Sequence, residues 1–152
     1  MNDKTKGRFL VTLQFILLGL MFFWPADQGF GGNDFSLAAA GFALGMLGTV
    51  MLLLSFVSLG SSLTAMPTPK QNGLLVTSGI YKHIRHPIYT ALILLGLAQV
   101  LISGPLPQAI FYILLLGLLV YKSRFEESLL RAKYPEYEEY AKRTGRFIPG
   151  LK

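Results

Sequence analysis

The chain has 152 residues, of which 52% are apolar and 14% are charged, and its formal net charge is +6. A soluble domain usually carries about 25% charged residues, so the composition argues against an ordinary cytosolic globular domain. A disordered chain is disfavoured as well, because such chains are poor in large apolar residues. The sequence contains no cysteine, which excludes disulfides, Cys-ligated metal centres and thiol nucleophiles.

The positive charges are confined to three short stretches between long apolar blocks. Every Lys and Arg lies within residues 4–8, 70–85 or 122–152. Basic segments that alternate with apolar blocks are typical of a membrane protein whose basic segments stay in the cytoplasm. The sequence therefore predicts an integral membrane protein in contact with membrane lipids, and no nucleic-acid partner.

The apolar blocks predict four transmembrane helices. A helix needs roughly 20 apolar residues to cross the hydrocarbon core, and the candidate spans are residues 9–24, 35–59, 87–103 and 107–121. The last two spans come from one long block that a Ser-Gly-Pro-Leu-Pro turn signal interrupts, so they are expected to form a helical hairpin. No small-x-small cleavage site follows the first span, which we interpret as a retained anchor.

The distribution of basic loops sets the expected topology and fold class. The two loops without Lys or Arg alternate with the basic N-terminus, the basic loop at residues 70–85 and the basic tail, so both termini are expected in the cytoplasm. The predicted fold is all-α, a single domain over residues 1–152. It consists of an integral membrane bundle of about four transmembrane helices and a cytoplasmic C-terminal helical tail. The tail is predicted to be helical over residues 124–134 and again after Pro135.

Small residues in the second span predict close helix packing. Gly41 and Gly45 form a small-xxx-small pair, and Gly48 lies nearby. Such residues let two helix backbones approach each other. We expect this contact within the chain rather than at a dimer interface, and the sequence predicts no particular oligomeric state.

The chemistry is expected in two polar segments, residues 70–87 and 122–150, because the spans offer few reactive groups. Just before and inside the third span lie two tyrosines, two histidines and an arginine: Tyr81, His83, Arg85, His86 and Tyr89. Such side chains can be ordinary interface anchors. Their clustering within nine residues favours a binding site instead.

An acidic pair, Glu126 and Glu127, follows the last span. Adjacent carboxylates are unusual beside an anionic membrane leaflet. One of them can bind a cation or a ribose diol while its neighbour pairs with Arg85 or Arg124. The alternative is a solvated helix face. Further along, two tyrosines at residues 137 and 140 share one helix face, where they either pack the tail onto the bundle or line a pocket.

Several common sites have no matching motif in the sequence. There is no Gly-x-Gly-x-x-Gly pattern after a strand, no phosphate-binding loop and no Gly-x-Ser-x-Gly elbow. His83 and His86 have a spacing that can bind a metal, but no third ligand lies nearby in sequence. The prediction is that no metal is bound.

In order along the chain, these pieces resemble the isoprenylcysteine carboxyl methyltransferase family. The motifs are Gly-Ile-Tyr at residues 79–81, Arg-His-Pro-Ile-Tyr at residues 85–89, the Glu-Glu pair, Pro-Glu-Tyr at residues 135–137 and a closing proline at residue 149. The related phospholipid methyltransferases share the Arg-His-Pro and Glu-Glu signatures. The resemblance covers about half of the chain, from Leu74 to the C-terminus.

The resemblance implies an integral membrane methyltransferase that uses S-adenosylmethionine and takes an amphipathic acceptor from the lipid side. The residues that it implies for cofactor binding are Tyr81, His83, His86, Pro87, Tyr89, Glu126 and Glu127. Two basic residues, Arg85 and Arg143, are expected to steer a carboxylate acceptor in catalysis. The implied partner is a lipid-like or prenylated small molecule.

Other functions remain open at this point. The acceptor is expected to be a carboxylate, as in isoprenylcysteine carboxyl methylation, and the alternative is a phospholipid or another lipid amine. An amine acceptor would need a base, for which His83, His86 or a glutamate is available. Two further alternatives are a non-catalytic membrane module that retains the fold, and a nucleotide-dependent membrane reductase of similar architecture.

Overall fold

The structure is a computed structural model that describes residues 2–25, 34–64, 66–69, 73–103 and 106–151. It contains five α-helices: α1 (Asp3–Phe23), α2 (Phe35–Leu59), α3 (Pro87–Ser103), α4 (Leu106–Lys133) and α5 (Tyr137–Arg143). Two short 3-10 turns cover Gly60–Ser62 and Gly79–Lys82. Within the described ranges no strand is formed, and two isolated bridges are the only sheet-like pairings. The predicted all-α class is confirmed.

Three helices, α1, α2 and α4, are long and apolar enough to cross a membrane. The fourth, α3, is apolar but only 17 residues long. The bounds of α2 and α3 equal those of the second and third predicted spans. Helix α1 begins at Asp3, before the predicted start at residue 9, because the side chain of Asn2 caps it by accepting a hydrogen bond from the backbone N–H of Lys4.

Helix α4 does not break where the predicted span ends. The helix predicted over residues 124–134 is present, and it directly continues the fourth predicted span, because α4 runs without interruption from Leu106 to Lys133. Between Tyr121 and Lys133 the sequence contains no Gly or Pro, so nothing stops helix propagation. The helix ends just before Tyr134-Pro135, as expected from the clash that proline imposes on the preceding residue. The acidic pair therefore lies on the continuous extension of a helix that is long and apolar enough to cross a membrane.

Glycines allow α2 to lie directly against α3. A Cβ atom on Gly41 would come within 2.7 Å of Ile102, and one on Gly48 within 3.0 Å of Leu95. The prediction that these small residues serve packing within the chain is confirmed. Helix α1 packs mainly on α4, and α3 also contacts α4, whereas α1 and α2 are not closely packed against each other. The bundle is consequently open between its first two helices.

The end of the chain folds back as a strap, residues 144–151, beneath the start of α3. Backbone hydrogen bonds join Arg85 N–H to the carbonyl of Gly145 at 2.8 Å and His86 N–H to the carbonyl of Arg146 at 3.1 Å. In return, the N–H of Gly145 donates to the carbonyl of His83 at 3.1 Å. The strap thereby holds the Arg-His-Pro segment against the bundle end that carries the basic residues.

Candidate functional site

A cavity of about 410 Å³ lies between α1 and α2 at the basic end of the bundle. Its apolar part, which we call the apolar corridor, is lined by Phe15, Leu18, Leu52, Phe56, Ile88 and Leu92. Its other part, which we call the polar chamber, is lined by Tyr81, Arg85, His86, Tyr89, Lys122, Glu126, Tyr134, Tyr137 and Tyr140. Phe15 and Phe56 are partly exposed, so the corridor reaches the outer surface between the first two helices. A volume of this size fits a small-molecule ligand.

Glu127 lies outside the cavity lining and is completely buried. Its carboxylate accepts hydrogen bonds from Arg85 Nε at 3.2 Å and, in bidentate form, from Arg146 at 2.9 Å to each oxygen. The His86 Nε2 atom is 3.2 Å from the same carboxylate, and an Arg131 terminal nitrogen is 3.5 Å away. The hydrogen bond to Glu127 raises the pKa of Arg146 above its ordinary value. This arrangement joins the segment just before α3, helix α4 and the strap at one point, which we call the Glu127 cluster.

Glu126 faces the cavity instead. It is partly exposed, and its carboxylate accepts a hydrogen bond of 2.7 Å from the Tyr89 hydroxyl. The His86 Nδ1 atom lies 3.7 Å away, and the His86 ring is stacked on the Tyr89 ring with centroids 5.2 Å apart. Glu126 therefore presents a carboxylate to a chamber walled by aromatic rings, an arrangement suited to a cationic ligand or a diol.

Arg85 touches the polar chamber, but much of its hydrogen-bonding capacity is used within the protein. Besides its contact with Glu127, one terminal nitrogen donates to the carbonyl of Ala141 at 2.8 Å and to the carbonyl of Thr144. The guanidinium is buried, and its partners lie on α4, α5 and the strap. Arg85 thus fastens the tail to the start of α3.

Lys122 is the second cation that reaches the cavity, and sequence reasoning missed it. It is 2% exposed, and its ammonium donates a 2.6 Å hydrogen bond to the side-chain oxygen of Gln14 on α1. The ammonium also lies over the Tyr89 ring, 5.2 Å from its centroid. Two signals in the sequence could have indicated the pair: an amide side chain inside an apolar span, and a lysine four residues before Glu126.

Tyrosines from the tail close the polar chamber. The Tyr134 hydroxyl donates to the carbonyl of Gly73 at 2.5 Å, and the Tyr140 hydroxyl donates to the carbonyl of Tyr81 at 2.7 Å. Burial raises the pKa of Tyr140 to about 12, and it also raises the pKa values of Tyr81 and Tyr137. These phenols consequently stay neutral at physiological pH. Tyr137 and Tyr140 therefore have both of the roles that the sequence allowed: they pack the tail onto the bundle, and they line the cavity.

The structure brings most, but not all, of the predicted site residues together. Five of them line one cavity: Tyr81, Arg85, His86, Tyr89 and Glu126. Pro87 is buried as the first residue of α3 and Glu127 lies in its cluster, both adjacent to the chamber. His83 is exposed and contributes its backbone to the strap. Arg143 is exposed as well, with Nε donating to the carbonyl of Glu139 at 3.2 Å.

A family model matches residues 41–132, about three fifths of the chain, and its description is the isoprenylcysteine carboxyl methyltransferase (ICMT) family. The chain is 33% identical to the cobalt-zinc-cadmium resistance protein CzcN of Cupriavidus metallidurans, over 95% of this chain and 63% of the relative. It is 29% identical to the nickel-cobalt-cadmium resistance protein NccN of Alcaligenes xylosoxydans xylosoxydans, over 78% of this chain and 54% of the relative. The chain thus spans little more than half the length of these curated relatives.

Among solved structures, the chain is similar to the eukaryotic intramembrane Ras methyltransferase ICMT. The TM-score is 0.69 at 20% identity, covering 99% of this chain and 55% of that structure. At this identity the likeness concerns the fold. A shared membrane fold, together with helices long and apolar enough to cross a bilayer, supports an integral membrane protein.

Proposed function

Because the chain belongs to the isoprenylcysteine carboxyl methyltransferase family, we propose that it transfers a methyl group from S-adenosylmethionine to an amphipathic acceptor held in the membrane. The observation that carries the proposal is the two-part cavity. A polar chamber with a carboxylate and several aromatic rings continues into an apolar corridor that opens between α1 and α2. One end suits a polar cofactor, and the other suits an apolar chain arriving from lipid.

The residues of the polar chamber fit the proposed cofactor in two respects. The Glu126 carboxylate and the ring faces of Tyr89 and His86 offer a favourable environment for a positively charged group. In addition, Tyr137 lines the chamber, and its hydroxyl is buried without a hydrogen-bond partner among the described residues. A buried polar group without a partner is costly, and a polar ligand in the chamber would satisfy it.

When bound, S-adenosylmethionine supplies an electrophilic methyl group on a sulfonium, and the protein needs no metal for the displacement. Residues of this chain then have three tasks. Glu126 holds a cationic or hydroxyl-bearing part of the cofactor, while the buried tyrosines exclude water and strengthen the electrostatic interactions inside the chamber. The Glu127 cluster keeps the Arg-His-Pro segment in place, so that the two ligands meet in a fixed orientation.

The proposed placement in the membrane has four crossings, with the short α3 completing the hairpin to α4. The basic end of the bundle, with both termini, the strap and the polar chamber, faces the cytoplasm. The positive-inside pattern of the loops supports this orientation. A cytoplasmic chamber also gives a soluble cofactor access without crossing the bilayer.

The test is a calorimetric titration of the purified, detergent-solubilised protein with S-adenosylhomocysteine, with NADPH as the control ligand. We expect binding of the first compound and none of the second. The Glu126→Gln variant should bind at least about tenfold more weakly, because a charge-assisted contact is lost. The matched control is Glu136→Gln, a substitution at an exposed glutamate of the tail, which should bind normally.

Two outcomes would contradict the proposal. A folded, monodisperse protein that binds NADPH but no S-adenosylhomocysteine would favour a reductase. A folded protein that binds neither, in detergent and in lipid nanodiscs, would favour a non-catalytic membrane module.

A further inference from the structure

We infer that the end of the strap anchors in the membrane, with the exposed apolar side chains of Ile148 and Leu151 inserted into lipid at the cytoplasmic edge of the bilayer. This insertion helps to keep Arg146 of the strap on Glu127. The partner of the surface is the apolar part of the membrane interface. The inference goes beyond the proposed methyltransferase activity and rests only on the proposed placement of the bundle in the membrane.

The first argument is the level at which the strap meets α3. The Thr90 hydroxyl donates a 2.8 Å hydrogen bond to the carbonyl of Phe147. Helix α3 has 17 residues and is therefore about 25 Å long, less than the roughly 30 Å of hydrocarbon that it has to cross. Its first turn consequently lies at the boundary of the hydrocarbon, and Thr90 lies about 5 Å beyond Pro87 along the helix axis. The strap reaches this level.

The second argument is the distribution of side chains on the strap. Its only charged residue, Arg146, turns inward to the Glu127 carboxylate. The Phe147 side chain packs against the apolar core. In contrast, Ile148 is 57% exposed and Leu151 is 65% exposed, and a backbone bridge holds the two residues next to each other. Water is an unfavourable environment for such a pair of large apolar side chains, whereas lipid is a favourable one.

The third argument is that the backbone of the strap is compatible with the membrane edge, where unpaired N–H and carbonyl groups are costly. Gly145 and Arg146 both have their N–H and their carbonyl bonded, either to the segment before α3 or within the strap. The Arg146 N–H donates to the Leu151 carbonyl at 3.0 Å, and the Leu151 N–H donates to the Ile148 carbonyl at 3.1 Å. Pro149 has no N–H to satisfy. The end of the strap is thus a closed turn that presents side chains to its surroundings.

The continuity of the surface favours lipid as the occupant. Ile93 and Leu97 follow Thr90 by three and seven residues, so the three side chains share one face of α3. Both Ile93 and Leu97 are apolar and partly exposed. The lipid that covers this face of the helix therefore meets the strap at the level of Thr90.

The depth of the strap can be measured with single nitroxide labels. Because the chain contains no cysteine, Ile148→Cys and Leu151→Cys each provide one labelling site. Power saturation of the labelled protein in nanodiscs compares collisions with oxygen, which concentrates in lipid, and with a water-soluble nickel chelate. Ile113→Cys, at an exposed position of α4, is the lipid reference, and Glu136→Cys, at an exposed position of the tail, is the water reference. The two strap labels should favour oxygen over nickel, as the lipid reference does.

The effect of the anchor on the Glu127 cluster can be measured by hydrogen exchange. The double variant Ile148→Ser/Leu151→Ser removes both apolar side chains and leaves Arg146 in place. In nanodiscs, the amides of Arg85 and His86, which donate to strap carbonyls, should exchange at least about tenfold faster than in the wild-type protein, because the strap opens more easily. The matched control is Ile148→Val/Leu151→Val, which keeps both side chains apolar and should retain the wild-type exchange.

The inference is overturned if the strap labels are as accessible to the nickel chelate as the water reference. It is also overturned if neither reagent reaches them, because protein, such as a second copy of the chain, would then cover the two side chains. Unchanged exchange in the folded serine variant would show that Arg146 stays in place without the anchor. A water-accessible lipid reference would contradict the membrane placement, and the inference with it. All of these measurements are made without cofactor, so a protein that does not bind S-adenosylhomocysteine disproves the proposed function and leaves the anchoring unaffected.

Discussion

Glu126 and Glu127 are the same residue type at adjacent positions of α4, yet their surroundings are opposite. Glu127 is buried among Arg85, Arg146 and His86 and is not one of the residues that line the cavity. Glu126 is partly exposed, accepts one hydrogen bond from a tyrosine and faces the chamber. Consecutive residues of an α-helix point about 100° apart, so one carboxylate turns toward the strap and the other toward a ligand.

The difference separates structural stability from ligand binding within one motif. In the Glu127 cluster the positive partners come from the segment just before α3, from α4 and from the strap, so the cluster holds together three separate segments of the chain. On the Glu126 side, the hydrogen-bonding capacity of the carboxylate is only partly used. Variants at Glu127 should therefore lose stability, whereas variants at Glu126 should lose ligand binding.

Glu127→Gln should cause the largest loss of stability. Removing the negative charge leaves the buried Arg85 and the partly exposed Arg146 without their common partner, for which we expect a cost of about 3–5 kcal/mol. The measurement is thermal unfolding of the detergent-solubilised protein, with Glu126→Gln as the comparison. Glu126→Gln should unfold near the wild-type temperature and lose binding of S-adenosylhomocysteine instead. Equal melting temperatures for the two variants would show that the cluster does not hold the tail on the bundle.

The features of the fold that depend on local signals could be predicted from the sequence, whereas contacts between distant segments could not. The bounds of α2 and α3 followed from apolar length and from proline and turn signals, which act locally. The sequence also indicated that one glutamate of the pair would bind a ligand while the other paired with an arginine. It did not indicate which glutamate does which, because that depends on which side of α4 the strap approaches. Lys122 and Gln14 were missed for the same reason: they are 108 residues apart, and only the packing of α1 on α4 brings them together.

Breaking the ion pair between Arg146 and Glu127 should cause the next largest loss of stability. Arg146→Ala removes a bidentate, charge-assisted contact, and we expect a loss of about 2–3 kcal/mol. The loss should be smaller than for Glu127→Gln, because Arg85 still neutralises the carboxylate. Hydrogen exchange provides a local measurement: the amides of Arg85 and His86, which donate to strap carbonyls, should exchange faster. Arg146→Lys should restore part of the protection, and unchanged exchange in Arg146→Ala would show that the backbone bonds alone hold the strap.

Because burial raises the pKa values of the tyrosines in the chamber, we expect the protein to lose stability at alkaline pH. The pKa of Tyr140 is raised to about 12 in the folded protein, against about 10 in an unfolded chain. The unfolded state therefore releases its phenolic proton first, so the stability that this group contributes is complete below pH 10 and falls as the pH rises toward 12. Tyr140→Phe should show a shallower fall in melting temperature over this range. It should also lose about 1 kcal/mol at pH 7, because the hydrogen bond to the Tyr81 carbonyl is absent.

The smallest effect is expected at Arg143, where sequence and structure suggest different roles. The family resemblance assigned it to the acceptor, but its side chain is exposed and its Nε is bonded to the carbonyl of Glu139 within α5. Arg143→Ala should therefore change stability by no more than about 0.5 kcal/mol and leave binding of S-adenosylhomocysteine and of a carboxylate acceptor unaltered. Arg85→Ala, which removes a buried member of the Glu127 cluster, is the contrasting variant and should lose both stability and binding. If Arg143→Ala instead melted normally but bound the carboxylate acceptor weakly, the tail would have to move so that α5 brings this arginine to the cavity.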